Sequence, residues 1–370
     1  MKRVVCGVSG GVDSAVAAHL LKERGFQVTG LFMRNWDERD ETGNCPTDKD
    51  LNDARNCCET LKIPLLEVNF CKEYWNNVFE YEKFCVFIEK GERQIPTSSD
   101  CIATGHYVSS SFGNCLEKAE VGKKAKLLRP KDRIKDQTMF LSNIPQNALS
   151  KTMFPLGHWL KPEVKALAEK LGLHDLAKKK ESTGMCFIGK RNFSTFIDQY
   201  LAETEGNFVD VETEKVVGVH KGVHHYTIGQ RVPVCDLSLK RFVVSRDFKT
   251  QNVYVCSNTN HPSLYVQSLI LIEPYWISEE DPFTQNSDKK VLCCDFTCQR
   301  RMPLLPCTLR KTAEQSEEGA DVWKLTSRRP LKAVAPGQFA VFYNGEECLG
   351  SAEILAVGKS LFDQQRILPS

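Results

Sequence analysis

The sequence predicts a chain that begins as a Rossmann-like α/β domain with a parallel sheet and continues as a small β domain and a C-terminal β-barrel. Three observations carry this. Short apolar runs of strand length alternate with helical spacing up to about residue 204, the pattern of strand–helix–strand crossovers. The first strand passes into a helix through the glycine-rich turn Ser9-Gly10-Gly11. Beyond about residue 205, short β-type runs separated by turn residues take over.

Taken in order, residues 3–8 read as a short buried strand, and helical spacing from Asp13 to Arg24 is closed by Gly25. Residues 27–32 form a second apolar strand, 48–61 a helix and 64–70 a third strand. Tyr74, Trp75, Val78, Phe79 and Phe87 give helical spacing over 72–91, and 101–104 reads as a fourth strand. Residues 161–172 and 191–203 read as helices. The β-type runs are 207–211, 216–222, 242–244 and 253–256, then 291–296, 307–309, 322–325, 339–343 and 352–357. The polar stretch 313–320 reads as a hairpin loop and the last ten residues as a loose tail. The expected division is an α/β domain over 1–204, a small central β domain over 205–262, a β-barrel over 263–362 and a tail over 363–370.

Bulk composition narrows the class. The 370 residues have room for two or three cores, and 41% hydrophobic with 26% charged residues is ordinary for a soluble globular chain. No apolar run reaches the length of a transmembrane helix, so no membrane partner is expected. A net charge of +2 neither requires nor excludes nucleic acid, so any such case is local. Residues 123–135 hold seven basic residues and one acid, which suits phosphate contacts and equally suits a solvated charged hairpin. The sixteen cysteines lack the spacing of a disulfide scaffold. Cys57–Cys58 and Cys293–Cys294 are adjacent, unlike zinc ligands, and His224 and His225 near Cys235 lack a second cysteine. No structural metal is expected, and a reducing compartment fits. The N-terminus shows no secretory or transit-type leader.

The strongest local signal is Ser9-Gly10-Gly11-Val12-Asp13-Ser14. Glycines let the backbone turn tightly and approach a ligand. The amides that open a helix, with its dipole, hold a phosphate or pyrophosphate. Ser9 and Ser14 add hydroxyls, and Asp13 caps the helix or helps hold Mg²⁺ through the phosphates. The lysine of a Walker A loop is absent, so this is no ordinary P-loop. Ser-Gly-Gly-x-Asp-Ser resembles the pyrophosphate loop of adenine nucleotide hydrolase-type enzymes. These cleave ATP between the α and β phosphates and adenylate a substrate.

Six further segments occur in order: Gly30-Leu31-Phe32-Met33-Arg34-Asn35-Trp36, Ala103-Thr104-Gly105-His106-Tyr107, Lys135-Asp136-Gln137-Thr138, Ser182-Thr183-Gly184-Met185-Cys186-Phe187-Ile188-Gly189, Tyr226-Thr227-Ile228-Gly229-Gln230-Arg231 and Pro336-Gly337-Gln338-Phe339-Ala340-Val341-Phe342-Tyr343. Together they resemble the tRNA-specific 2-thiouridylase family, including its eukaryotic mitochondrial members, over nearly the whole chain. The resemblance implies a tRNA-uridine 2-sulfurtransferase located in the mitochondrion. ATP adenylates the 2-oxygen of the wobble uridine in tRNAs for lysine, glutamate and glutamine. A cysteine persulfide, charged by a sulfur donor or relay protein, then delivers sulfur to carbon 2. Adenylation suits this chemistry because it turns a poor electrophile's oxygen into a leaving group, and a persulfide is a soft nucleophile.

By the resemblance, Cys186 is the persulfide carrier. Gly7, Val8, Ser9, Gly10, Gly11, Val12, Asp13, Ser14, Met33 and Gly105 are ATP contacts, and His106, Lys135, Asp136, Gln137 and Gln338 are tRNA contacts. Lys178, Lys179, Lys180 and Lys190 are placed to favour a Cys186 thiolate. Thr297-Cys298-Gln299 stands where the family often carries an Arg-aromatic-Arg stretch.

One departure matters. Before the strand at 101–104 the family carries a loop reading Thr-Pro-Asn-Pro-Asp, then a cysteine, then Asn and Ile-Lys-Phe. It supplies the second catalytic cysteine, which completes sulfur release by forming a disulfide with the first, and an acid–base aspartate. In this chain Glu80-Tyr81-Glu82-Lys83 runs straight into Phe84-Cys85-Val86-Phe87. Neither Cys85 nor Cys101 matches the family's second cysteine. Weak or absent turnover is therefore expected of this chain. Two other readings stay open: a tRNA- and ATP-binding relative without catalysis, and an adenylating ligase that amidates a small molecule.

Overall fold

The computed structural model describes residues 2–35, 46–74, 99–180, 194, 197–198, 200–232, 240–280, 282, 291–300, 302–315 and 319–368. Cys186, Cys85, Trp36, Lys190 and Cys235 lie outside the described residues, as do all but 72–74 of the helix expected over 72–91 and residues 191–193, 195–196 and 199 of that expected over 191–203. The chain divides into two compact units, one of residues 1–191, 276–280 and 345–349, the other of 192–275, 281–344 and 350–370.

The first unit is built on a sheet of β1 (Arg3–Gly7), β2 (Gln27–Arg34), β3 (Leu65–Asn69), β4 (Cys101–Ala103) and a short strand at Thr152–Met153, in the order β3-β2-β1-β4 and then the short strand. All four pairings are parallel. The strand order reverses between β1 and β4, the switch point where ligands of open α/β sheets bind. Helix α1 (Val12–Glu23) returns the chain from β1 to β2. Ala15, Val16, Ala17, Ala18 and Leu21 are fully buried, and the small alanines let this helix pack closely. Arg24 caps α1 and Gly25 follows at φ +82, the left-handed residue expected at a helix end. Among the described residues the remaining helices are α2 (Pro46–Leu61), α3 (Lys161–Lys170) and α4 (His174–Lys178), besides single turns.

In the second unit a five-stranded sheet comes first, made of Gly206–Asp210, Val216–His220, Arg231–Val232, Arg241–Asp247 and Asn252–Cys256. Its core is Phe208, Val223, Val232, Val243, Val253 and Val255. A six-stranded barrel follows, of β5 (Tyr265–Ile272), β6 (Leu292–Thr297), β7 (Leu305–Gln315), β8 (Asp321–Lys332), β9 (Phe339–Asn344) and β10 (Glu347–Val357), with the residues of β10 up to Leu349 counted in the first unit. The order is β5-β8-β7-β6-β9-β10, and β10 pairs back onto β5, so the sheet closes.

Two expectations are corrected. The barrel strands β7, β8 and β10 run for 11, 12 and 11 residues, well past the apolar runs that announced them. Alternate positions of β8 are exposed, so polar residues there hide the strand's length. The tail is also less loose than its composition suggests. Leu361 is fully buried, and Asp363 accepts from the amide and hydroxyl of Ser360 at 2.9 and 2.8 Å.

Candidate functional site

The site is assembled where β1 and β4 end. Val8 donates its amide to Leu31 of β2 at 2.8 Å, which carries the chain straight off the sheet into Ser9–Gly11. Gly10 has φ +71, and a Cβ there would stand 2.3 Å from the Asp50 carbonyl oxygen of α2. Only glycine fits that conformation and that approach. Gly11 is the N-cap of α1 and has no side-chain cap. The first-turn amides have no intrahelical acceptor and point out of the helix start, where the dipole favours an anion. Asp13 is therefore not the cap expected from the sequence; it lies inside the first turn.

Ser14 stiffens this loop from within. Its hydroxyl accepts from the Ser9 amide at 3.1 Å, donates to the Gly11 carbonyl at 3.0 Å and lies 3.3 Å from Ser9 Oγ. Gly105, just past β4, closes the other side. A Cβ on it would stand 2.7 Å from the Ser14 nitrogen, so β4 and the start of α1 touch backbone to backbone. Met33, near the carboxyl end of β2, is exposed and offers an apolar surface on the same edge of the sheet. The structure thus gathers Gly7 to Ser14 and Gly105 at one sheet edge, with Met33 on the neighbouring strand.

Three residues to which the sequence assigned no part at this edge hold it. Lys161 opens α3 and is buried, and its Nζ meets both carboxylate oxygens of Asp13 at 2.7 and 2.6 Å. Tyr107, also buried, donates its hydroxyl to Asp13 at 2.8 Å. Asp13 is thus committed to Lys161 and Tyr107, and does not fit the role of a magnesium ligand expected of it. Lys179, just after α4, donates from Nζ to the Gly10 carbonyl (3.1 Å), to Asp50 (2.8 Å) and to Asp53 (2.6 Å). Burial opposes its charge, but the hydrogen bonds and charges of Asp50 and Asp53 outweigh this and raise its pKa. Its charge meets those two carboxylates, while the role expected of it beside Cys186 turns on a residue outside the described ones. Asp50 and Asp53 carried a signal, two acids three apart on one helix face, but no composition marks their partner.

The remaining expected contacts are placed as follows. His106 follows Gly105, with Nδ1 3.0 Å from Thr104 Oγ1. Burial lowers its pKa and the nearby Asp13 charge only partly restores it, so its imidazole is neutral at neutral pH. Asp136 accepts from Arg129 at 2.7 Å and from the Thr138 amide and hydroxyl at 3.0 and 2.6 Å. Gln137 accepts from the Tyr107 amide through Oε1 at 2.8 Å. Lys135 is half-buried in the same segment. Gln338 is exposed just before β9, in the second unit. Cys101 lies within β4, where burial raises its pKa and leaves a protonated thiol.

The basic run 123–135 is largely neutralised within the first unit. Lys123 pairs with Glu120, Lys124 with Glu280, Lys126 with Glu347, Arg129 with Asp136, Lys131 with Glu163 and Arg133 with Glu346. Most of these pairs are exposed and weak, so an incoming phosphate can exchange with a carboxylate. Among the described residues one His/Asp group has metal-ligand spacing: Asp198 accepts from His225 at 2.5 Å and from His224 at 3.4 Å. These contacts join the three side chains in a hydrogen-bonded cluster.

Comparison with known proteins agrees across the chain. Family models match in series: a tRNA methyl transferase HUP domain at residues 2–96 and 82–190, a tRNA methyl transferase PRC-barrel domain at 194–257 and an aminomethyltransferase β-barrel domain at 266–354. The HUP model matches in two pieces that overlap at residues 82–96. The chain is 43% identical over 408 residues to the mitochondrial tRNA-specific 2-thiouridylase 1 of Gallus gallus, covering 99% of this chain and 94% of that one. The Homo sapiens protein of the same name is 43% identical over 401 residues, covering 99% and 93%, and that of Drosophila melanogaster 42% over 376, covering 96% and 94%. The 408-residue alignment is longer than the 370 residues of this chain, so the bird protein carries residues that this chain lacks. Solved structures give weaker likenesses, such as a 4-thiouridine synthetase–RNA complex with bound ATP at TM-score 0.34 and 16% identity, over 52% of this chain and 46% of that one.

Proposed function

The chain belongs to the tRNA-specific 2-thiouridylase family, and from that premise we propose that it is an ATP-dependent tRNA-uridine 2-sulfurtransferase of the mitochondrion. The observation that supports this most is the uncapped start of α1 behind Gly10 and Gly11, at the β1/β4 switch point. That arrangement receives the phosphates of ATP through backbone amides. Met33 lies against the adenine, and Gly105 keeps the backbone of β4 close enough for the nucleotide to bridge both strand ends. Lys161 and Tyr107 hold Asp13 away from the phosphates, so the loop presents amide dipoles rather than a carboxylate. Mg²⁺ would accompany ATP as the counter-ion of its phosphates.

His106, Lys135, Gln137 and Gln338 are the proposed tRNA contacts. Asp136 belongs with them as an organiser of its segment, since Arg129 and Thr138 already take its oxygens. His106, neutral and next to Gly105, offers a hydrogen bond to the uracil edge without adding charge beside the phosphates. Cys186 carries the sulfur as a persulfide, whose terminal sulfur attacks carbon 2 of the adenylated uridine as AMP leaves. Release of the thiocarbonyl then needs a second thiol to take the Cys186 sulfur into a disulfide. Cys101 is buried and protonated, so an external thiol supplies this step in our reading.

The adenylation half is tested by ATP–pyrophosphate exchange. Exchange stimulated by unmodified tRNA supports the reading. Exchange stimulated by a small amine acceptor and indifferent to tRNA favours an amidating ligase. A second reading, a tRNA-binding relative without sulfur transfer, is favoured by one observation, the direct run from Glu80-Tyr81-Glu82-Lys83 into Phe84-Cys85-Val86-Phe87.

A further inference from the structure

We propose that Cys294 and Cys307 form a thiol-modification site in the barrel, a cross-strand dithiol that a small-molecule disulfide converts to an intramolecular disulfide. The pairing register of β6 and β7 sets Cys294 directly opposite Cys307. Directly opposed residues on antiparallel strands have Cα atoms about 4.5–5.5 Å apart, within the roughly 4.4–6.8 Å that a disulfide spans. The two Sγ atoms already lie 3.6 Å apart. Side-chain rotation alone therefore closes the bond, with the barrel backbone in place.

The pair is also reachable. Both cysteines line an open cavity of about 600 Å³, together with Ser327, Arg328, Tyr343 and Asn344. Cys294 is half-buried and Cys307 is buried behind it. Contact with Cys294, and then burial, push the Cys307 thiol above its ordinary range. The greater exposure of Cys294 sets the order of events. The Cys294 thiolate attacks one sulfur of the incoming disulfide, and the first small thiolate leaves and takes up the proton that Cys294 gave. Cys307 then loses its proton to solvent and attacks Cys294 Sγ, expelling the second small thiolate. Two protein thiols lose two electrons, and one small disulfide becomes two thiols. Cys293, exposed on the same cavity, stands opposite Thr308 in the register and has no such partner across the strand pair.

The site stands independently of the nucleotide chemistry proposed above. The test is incubation of the folded, full-length chain with glutathione disulfide, followed by alkylation of remaining thiols and peptide mapping by mass spectrometry. The expected result is a Cys294–Cys307 linkage, reversed by dithiothreitol and retained in Cys293→Ser. Cys307→Ala should stop at a stable glutathione adduct on Cys294, and Cys294→Ala should leave Cys307 unmodified. Circular dichroism of each variant confirms that the barrel is folded. Adducts on Cys293 with Cys294 and Cys307 both still free, or no linkage at any ratio of oxidised to reduced glutathione, would overturn the proposal.

Discussion

Lys161 Nζ meets both oxygens of Asp13, at 2.7 and 2.6 Å, so the first residue of α3 is tied to the first turn of α1. The lysine is nearly buried and the aspartate about a third exposed. Breaking a fully buried ion pair from one side costs about 3–5 kcal/mol, and partial solvation of Asp13 reduces that. Lys161→Met should therefore destabilise the protein by about 2 kcal/mol in urea unfolding. It should also raise the KM for ATP, because the freed Asp13 carboxylate faces the phosphates. Asp13→Asn combined with Lys161→Met should recover part of both losses; equal or greater damage in the double variant would argue that the pair has no such role.

Gly10→Ala and Gly25→Ala separate strain from crowding. Both glycines have positive φ, but a Cβ at Gly25 meets nothing within 4 Å, whereas one at Gly10 meets Asp50 at 2.3 Å. The left-handed conformation alone costs an alanine roughly 1–2 kcal/mol. Gly25→Ala should lose about that much stability and keep ATP affinity. Gly10→Ala should lose ATP binding as measured by calorimetry, since the loop must move off α2 to admit the methyl.

Lys179 places one positive charge between two carboxylates and the Gly10 carbonyl. Lys179→Met leaves Asp50 and Asp53 uncompensated beside an anion-binding loop. ATP affinity should fall on the order of tenfold, the equivalent of about 1.4 kcal/mol. Asp50→Asn with Asp53→Asn should restore most of it in the Lys179→Met background. A Lys179→Met protein with unchanged ATP affinity would show that the cluster only fastens α2.

His106 should give an acid-side stability slope. Its folded pKa is lowered by burial, below the ordinary histidine value of about 6.5. The unfolded chain therefore binds the proton first as pH falls. Stability is complete above about pH 6.5 and declines between there and the folded pKa. Urea unfolding of the protein and of His106→Gln at about pH 7.5 and 5.5 checks this. The wild type should lose more stability than the variant across the interval, with buried His220, also lowered by burial, contributing an equal share to both.

Much of the fold was legible because its signals are local. The turn at Ser9–Gly11, the stop at Gly25 and the apolar runs of β1, β2 and β4 each follow from short-range chemistry. The strand lengths of the barrel were hidden because exposed alternate residues of β8 are polar, as any solvent-facing strand side is. The site divides in the same way. Its glycines announce themselves, since a positive φ or a close backbone approach admits little else. Its ion pairs do not: Asp13 meets Lys161 across 148 residues and Lys179 meets Asp50 across 129, and charge alone names no partner. The basic run 123–135 shows the same limit, because its cations were visible and the carboxylates facing them, Glu280, Glu346 and Glu347, come from far along the chain.

The most direct test is sulfur transfer to an unmodified tRNA transcript with ATP and a persulfide donor, with and without added dithiothreitol, comparing this chain with Cys186→Ser. The expected product is 2-thiouridine that depends on ATP, forms weakly without the added thiol, rises with it and vanishes in Cys186→Ser. No 2-thiouridine under any condition, from a protein that still binds ATP and tRNA, would contradict this expectation and leave a recognition scaffold that has lost its chemistry.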